Sequence, residues 1–286
     1  MTGPTAPKDG RDQARPRVVA HRGASDEVAE HTMGAYRQAL VDGADALECD
    51  VRLTRDGHLV CVHDRRLDRT SSGRGVVSTK RLDQLQSLDW ASWKNPWADL
   101  DDEAELPDEN EGRVLTLRDL LVLVRDQPGP VGLLVETKHP TRYSGLVEQR
   151  LVELLEEFGW AHPGSGTAAD RAAAPVRVLS YSQLSLRRMR SWAPTVPLAW
   201  VIDQEIPARV RRGELPRGVG DVAVACELVR TNTDWVQRMH EWGYGVYVWV
   251  VNTADDLRMC HELAVEAVIT DRPRFARETL DARGAP

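Results

Sequence analysis

Cysteine is scarce in this chain of 286 residues, and its four cysteines, Cys49, Cys61, Cys226 and Cys260, lie far apart without a C-x-x-C pair. They are best interpreted as reduced thiols in a cytoplasmic protein. Long apolar runs are missing as well. No stretch could span a bilayer, and the polar residues 1–17 lack the apolar segment of a signal peptide. We therefore expect a cytoplasmic protein without stable membrane insertion.

An excess of positive charge is also absent. Lysine and arginine number 37 against 44 acidic residues, which gives a net charge of −7. This balance argues against a general nucleic-acid binder but allows a small phosphate ligand in one pocket. The hydrophobic fraction of 42% can supply a sizeable core, and the length suits one α/β barrel better than two ordinary domains. We expect a disordered tail over residues 1–15 and a single domain over residues 16–280.

Short β-rich runs recur along the chain, usually with an amphipathic stretch between them. The candidate strands are Arg17–Ala20, Ala46–Leu53, Gly132–Lys138, Val176–Ser182, Pro197–Ile202, Val222–Cys226, Gly245–Val251 and Ala267–Thr270. The candidate helices are Met33–Val41, Thr116–Arg125, Leu146–Phe158, Gln183–Trp192, Asp234–Glu241 and Ala254–Leu263. Strands that alternate with helices indicate a parallel sheet, and eight of them in this length predict a closed (β/α)₈ TIM barrel.

Two stretches after the second predicted strand break this rhythm and predict an insertion over about residues 58–112. Residues 58–78 predict an extra hairpin with its turn at SSGRG, and residues 89–112 are acidic and carry Trp90, Trp93 and Trp97. In a barrel both stretches would rise from the C-terminal face, where active sites are built. The tryptophans and carboxylates could attract a quaternary ammonium group such as choline. Packing of a loop against the barrel explains the tryptophans more simply.

Three carboxylates stand at the ends of two predicted strands. Glu48 and Asp50 are two residues apart, so their side chains project to the same face, and they repel unless a cation or proton intervenes. Glu136 and Lys138 repeat this spacing on another strand. Three carboxylates from two strand ends could bind a hard cation such as Mg²⁺ or Ca²⁺. The alternative is a set of solvated charges joined by salt bridges.

Two histidines end predicted β segments: His21 in VVAHRG and His63 in VCVHD. Cleavage of a phosphodiester needs a base for the nucleophile and an acid for the leaving alkoxide, and imidazole suits both because its pKa lies near neutrality. Arg22 and Lys138 could neutralise the phosphoryl oxygens. Trp249 could line the pocket or simply fill the barrel core.

Taken in order, these segments resemble the glycerophosphodiester phosphodiesterase family. The matching runs are HRGAS at 21–25, AEHTMGAYRQAL at 29–40, GADALECDVRLTRDG at 43–57, VHDRRLDRTSSGRG at 62–75, VETK at 135–138, VWVVN at 248–252 and AVITDRP at 267–273. No single run is decisive, but their order is highly specific.

The resemblance implies an enzyme that hydrolyses a small-molecule glycerophosphodiester to glycerol 3-phosphate and an alcohol. Glu48, Asp50 and Glu136 would hold one divalent cation, Mg²⁺ or Ca²⁺. His21 and His63 would be the general acid and base.

The resemblance also implies that Arg22 and Lys138 contact the phosphate, and it places the loop with Glu30 beside the site. With Trp249, selected above from its strand, these residues are the candidates for binding the substrate. One departure concerns the loop that usually reads P-E-N-T, because this chain has A-E-H-T at residues 29–32. We expect His31, which replaces the asparagine, to tune the site without being essential.

Two other kinds of function remain open at this stage. The same chemistry at phosphorus would serve a lysophospholipase D-like or a phospholipase C-like enzyme, since only the leaving group differs. A barrel that has lost catalysis could instead bind a phosphate ligand or a partner protein, and the altered A-E-H-T loop is the only feature that favours it. Product analysis and a metal-dependent turnover assay separate these alternatives.

Overall fold

Eight parallel strands close into a barrel in this computed structural model, which describes residues 15–95, 112–161 and 174–282. The strands are β1 (Arg17–His21), β2 (Ala46–Leu53), the short antiparallel β3 (Leu59–Cys61) outside the ring, β4 (Gly132–Thr137), β5 (Val176–Ser180), β6 (Leu198–Ile202), β7 (Asp221–Ala225), β8 (Gly245–Trp249) and β9 (Ala267–Thr270). β1 pairs with both β2 and β9, which closes the ring. The predicted TIM barrel is confirmed.

Helices follow most of the strands. Within the described residues they are α1 (Met33–Val41), α2 (Leu82–Gln86), α3 (Leu117–Arg125), α4 (Leu146–Glu157), α5 (Gln183–Trp192), α6 (Cys226–Arg230), α7 (Thr233–Glu241), α8 (Ala254–Glu262) and α9 (Pro273–Asp281). Hydroxyl caps begin α1, α3, α5 and α8, where Thr32, Thr116, Ser182 and Thr253 accept a backbone N–H. α2, α6 and α9 were not predicted, and the first two are too short to show a helical period. None of the described helices is both long and apolar enough to cross a membrane.

Strand alternation explains where the polar residues lie. Side chains such as Ala46, Leu134 and Ala223 point inward and form a small inner core, while the other face of each strand packs against the helices. Glu48 and Asp50 continue the inward face of Ala46 towards the carboxyl end of β2. The barrel therefore places these carboxylates on top of its inner core.

Residues 58–78 do not form the separate hairpin that we predicted. β3 instead pairs with the end of β2, with Val51 opposite Cys61, around a turn at Asp56-Gly57. The stretch that we expected to return as a strand contains a 3₁₀ helix at Val77–Thr79, and a single bridge joins Arg66 to Val76. The reason is that β2 extends past the barrel and offers β3 a longer edge than the hairpin arms offer each other.

The tryptophans of the acidic stretch differ in their surroundings. Trp90 is buried in a satellite core with Val60, Leu67 and Leu85, and its indole N–H donates to the Leu85 carbonyl at 2.9 Å. Trp93 is half-buried and donates to the Trp90 carbonyl at 2.9 Å. Trp97 and the acidic residues 99–111 lie outside the described residues, as does nearly all of the predicted N-terminal tail. Trp90 thus belongs to the hydrophobic core of the insertion.

We expect Trp90→Ala to lower the free energy of unfolding by about 3–5 kcal/mol, the usual cost of truncating a buried tryptophan. Urea unfolding of the variant measures this loss. The control is Trp192→Ala, because Trp192 is 41% exposed at the end of α5 and should lose much less stability. Equal stability of the two variants would contradict a packing role for Trp90.

Candidate active site

The polar residues selected from the sequence meet at the carboxyl end of the barrel. Strand register brings them together, because His21 is paired with Glu48 between β1 and β2, and Asp50 with Glu136 between β2 and β4. One cavity opens there. Its lining residues are His21, Arg22, Glu48, His63, Glu136, Lys138, Leu179, Tyr181, Val201, Ala223, Trp249 and Ile269.

Glu48, Asp50 and Glu136 form a buried carboxylate cluster. Their exposed fractions are 3%, 1% and 8%, and one oxygen from each lies within 4.8 Å of the others. Burial and the charge of Asp50 raise the pKa of Glu136 to about 7, and burial also raises the pKa of Glu48. Three oxygen donors in this arrangement fit a hard divalent cation.

Asp50 is the centre of this cluster. Its Oδ1 lies 2.8 Å from Lys138 Nζ, and its Oδ2 lies 3.1 Å from Arg22 Nε and 3.0 Å from His31 Nε2. Burial alone would raise the pKa of Asp50, but the surrounding Lys138, His31 and Arg22 outweigh burial and hold it well below its ordinary value. Lys138 Nζ also lies 2.7 Å from Glu136 Oε1. Asp50 is therefore ionised at neutral pH.

Both candidate catalytic histidines are held by a carboxylate. His21 Nδ1 lies 2.7 Å from Asp271, and His63 Nδ1 lies 2.7 Å from Asp64. Each contact fixes the ring and leaves Nε2 as its other polar atom, the arrangement in which a carboxylate orients a catalytic histidine. Burial lowers the pKa of His63 to about 4, so the ring is neutral at pH 7.

Asp271 was not assigned a role from the sequence. It follows β9 and also accepts hydrogen bonds from Ser25 Oγ at 2.9 Å and Asn252 Nδ2 at 2.7 Å. Burial would raise its pKa, but His21 and these donors outweigh burial and lower it to about 2. The sequence signal that could have identified Asp271 is its position directly after the last strand, in the run ITD.

The loop after β1 contains two residues in the left-handed region, Arg22 with φ 59° and His31 with φ 61°. This conformation is costly for arginine and is typical of strained functional loops. Contacts with Glu48 compensate, since the Arg22 backbone N–H lies 3.1 Å from Glu48 Oε2. His31 is buried between Asp50 and the hydroxyl of Tyr36, which lies 2.8 Å from its Nδ1. His31 of the A-E-H-T loop therefore contacts the carboxylate of Asp50 and holds it in place.

An ion-pair chain links this loop to the segment that carries His63. Glu30 accepts from Arg22 at 3.0 Å and from Arg69 at 2.6 and 2.7 Å. Arg69 Nε also donates to Asp64 at 2.7 Å, and Asp64 in turn holds His63. Glu30 thus reaches the cavity through Arg22, and the chain connects the two candidate catalytic loops.

An aromatic pair lines the cavity opposite these charges. The rings of Trp249 and Tyr181 meet edge to face with centroids 6.3 Å apart, and Lys138 Nζ lies 5.8 Å from the Tyr181 centroid. The indole N–H of Trp249 is buried and has no acceptor among the described residues. Trp249 therefore lines the cavity and keeps a donor for a ligand. Tyr181, which directly follows β5, was missed from the sequence because a lone tyrosine carries no motif.

Comparison with known proteins relates most of this chain to sequences and structures already described. A sequence model of the glycerophosphoryl diester phosphodiesterase family matches residues 21–275. The chain is 45% identical over 270 residues to a probable glycerophosphodiester phosphodiesterase 1 of Mycobacterium tuberculosis, with 93% of each chain covered. It is 30% identical to a glycerophosphodiester phosphodiesterase of Bacillus subtilis, with 90% of this chain and 83% of that one covered.

Solved structures share the fold. A phosphodiesterase of Oleispira antarctica, in complex with the product sn-glycerol-3-phosphate, has a TM-score of 0.76 at 22% identity over 93% of this chain and 97% of that one. A putative glycerophosphoryl diester phosphodiesterase of Silicibacter pomeroyi has a TM-score of 0.77 at 20% identity, with 94% of each chain covered. The chain belongs to the glycerophosphoryl diester phosphodiesterase family, a family of phosphoric diester hydrolases.

Proposed function

We propose that this protein hydrolyses glycerophosphodiesters to glycerol 3-phosphate and an alcohol, with the help of one divalent cation. One observation carries the proposal: two carboxylates of the buried cluster, Glu48 and Glu136, line the same cavity as the two carboxylate-bound histidines and the side chains of Arg22 and Lys138. The family relationship and the product complex of the Oleispira antarctica structure support the choice of substrate.

Glu48, Asp50 and Glu136 would hold the cation, which supplies positive charge beside the phosphoryl oxygens when bound. Arg22 and Lys138 would neutralise further charge on the phosphate. Both already touch Asp50, so they stand next to the cation ligands.

His21 and His63 would transfer the protons through their Nε2 atoms. His63 is neutral at pH 7 and can therefore accept a proton, while Asp271 would hold the His21 ring in position through its Nδ1. The buried N–H of Trp249 would donate to a substrate oxygen. Glu30 would act indirectly by positioning Arg22.

The test is a substrate screen on protein that has been stripped with chelator and then supplied with Mg²⁺ or Ca²⁺. The substrates are the glycerophosphodiesters of choline, ethanolamine, glycerol and inositol, together with lysophosphatidylcholine. Release of glycerol 3-phosphate supports the proposal. Lysophosphatidic acid or a cyclic phosphate as the main product would assign a lysophospholipase D-like or a phospholipase C-like reaction, and no turnover with either metal would indicate a binding protein.

We expect His31→Asn to remain active, because asparagine tolerates the left-handed backbone and its amide can still donate to Asp50. His31→Ala removes that donor and should weaken metal binding by about 10- to 100-fold, the usual cost of losing a group that orients a ligand. Calorimetric metal titration and KM measurements compare the two variants. A completely inactive His31→Asn would mean that the loop has been rebuilt around a catalytic histidine.

A further inference from the structure

A basic groove lies beside the cavity and shares Lys138 with it. The other charged residues that line the groove are Arg52, Arg65 and Arg142. Its two sides come from the segment after β3 and the loop after β4, which are joined because the Tyr143 hydroxyl donates to the Ser78 carbonyl at 2.8 Å. The groove is therefore a fixed extension of the candidate active site.

The arginines of this groove have no acidic partners. In residues 15–95, 112–161 and 174–282, no carboxylate oxygen lies within 4.0 Å of the guanidinium nitrogens of Arg52, Arg65 or Arg142. Arg52 is held by the carbonyl of His63, to which its Nε and Nη2 donate at 2.9 and 2.7 Å, while Arg65 and Arg142 are exposed. Arg69, Arg177 and Arg230, by contrast, each pair with a carboxylate. The positive charge of the groove, which no carboxylate of the described residues neutralises, marks a place for an anion.

We propose that the groove binds a second anionic group of the substrate, so that the preferred substrates are glycerophosphodiesters whose alcohol carries a further phosphate. This inference rests on the proposed function. Lys138 lines both the cavity and the groove, so one molecule can place its scissile phosphate in the cavity and its second phosphate near Arg65 and Arg142. Guanidinium groups suit this role because they bind phosphate oxygens through two donors.

The groove also bears on the choline hypothesis derived from the tryptophans. A quaternary ammonium group would be repelled by Arg52, Arg65 and Arg142, which carry the same sign of charge. We therefore expect glycerophosphocholine to be a poorer substrate than a diester with a neutral alcohol, and a diester with a second phosphate to be better than both.

The experiment compares kcat/KM for glycerophosphoglycerol, which has one phosphate, and bis(glycerophospho)glycerol, which has two. The value for the second is halved because it has two equivalent scissile ends. We expect the wild type to prefer the two-phosphate substrate by about tenfold, from two exposed charge pairs, and added KCl to reduce this preference. In the double variant Arg65→Gln, Arg142→Gln the ratio should approach one.

The matched control is Arg238→Gln, which removes one exposed charge on α7, away from the groove, and should leave the ratio unchanged. Equal wild-type kcat/KM values for the two substrates, or an equal loss on both in the double variant, would overturn the inference. So would an unchanged ratio accompanied by lost binding to phosphatidylglycerol vesicles, which would assign the groove to a lipid surface. Failure of the wild type to hydrolyse any diester would instead reject the proposed function.

Discussion

Replacing His21 or His63 by alanine is expected to lower kcat by about 10²- to 10⁴-fold, the usual worth of a positioned acid or base. Both rings lie at the cavity rather than in the core, so the fold should survive and the melting temperature should change little. Steady-state kinetics on glycerophosphoglycerol measures the loss. A variant that keeps near wild-type kcat on every substrate would show that its histidine is not catalytic.

A second substrate separates the two roles. A diester with an activated leaving group, such as p-nitrophenol, needs no protonation of the departing oxygen. The variant that has lost the acid should therefore recover much of its kcat on that substrate, whereas the variant that has lost the base should not. Asp271→Asn is the matched positioning control, because it keeps the shape beside His21 and replaces the carboxylate that contacts Nδ1 with a neutral amide.

Glu136→Gln is expected to reduce both metal affinity and turnover steeply. The substitution preserves shape but replaces a charged oxygen donor, so the loss should be at least about 100-fold, the upper end for a group that merely orients a ligand. Isothermal titration with Mg²⁺ and Ca²⁺ measures affinity without reference to activity. Thermal unfolding shows whether the buried Lys138, which lies 2.7 Å from Glu136, tolerates the loss of its partner.

Two controls accompany this prediction. Glu153→Gln removes a partly exposed carboxylate from α4, outside the cavity, and should change neither metal binding nor kcat. Exhaustive treatment of the wild type with EDTA should abolish activity, and added metal should restore it. Full activity after chelation would reject the metal role of the carboxylate cluster.

The sequence predicted the barrel well because strands and helices are local patterns. Ala46–Leu53 and Ala267–Thr270 are strands with the predicted bounds, and Met33–Val41 and Gln183–Trp192 are helices with theirs. The spacing of Glu48 and Asp50 also placed both on one face, since that follows from the period of a strand. To predict that Glu136 joins Glu48 and Asp50, it was enough to assume that neighbouring parallel strands end at the same edge of the barrel.

Contacts between distant segments were not predictable in the same way. Asp271 reaches His21 across 250 residues, and no local pattern gives the register that joins them. The left-handed backbone conformations of Arg22 and His31 were not predictable either, because neither residue type by itself indicates that region. The hairpin over residues 58–78 was wrong for a different reason, because β3 pairs with the edge of β2 across the turn at Asp56-Gly57 instead of with residues 76–78.

The contact between His21 and Asp271 joins the first strand of the barrel to the residue after the last. A ribosome adds about 5–20 residues per second, so His21 emerges well before the carboxylate that holds it. Until β9 has been made, β1 also lacks one of its two neighbours in the ring. A nascent or truncated chain that ends before β9 therefore carries both histidines and all three clustered carboxylates, yet its His21 has no Asp271 to hold it. Catalytic competence should consequently appear only at the end of synthesis, together with closure of the barrel.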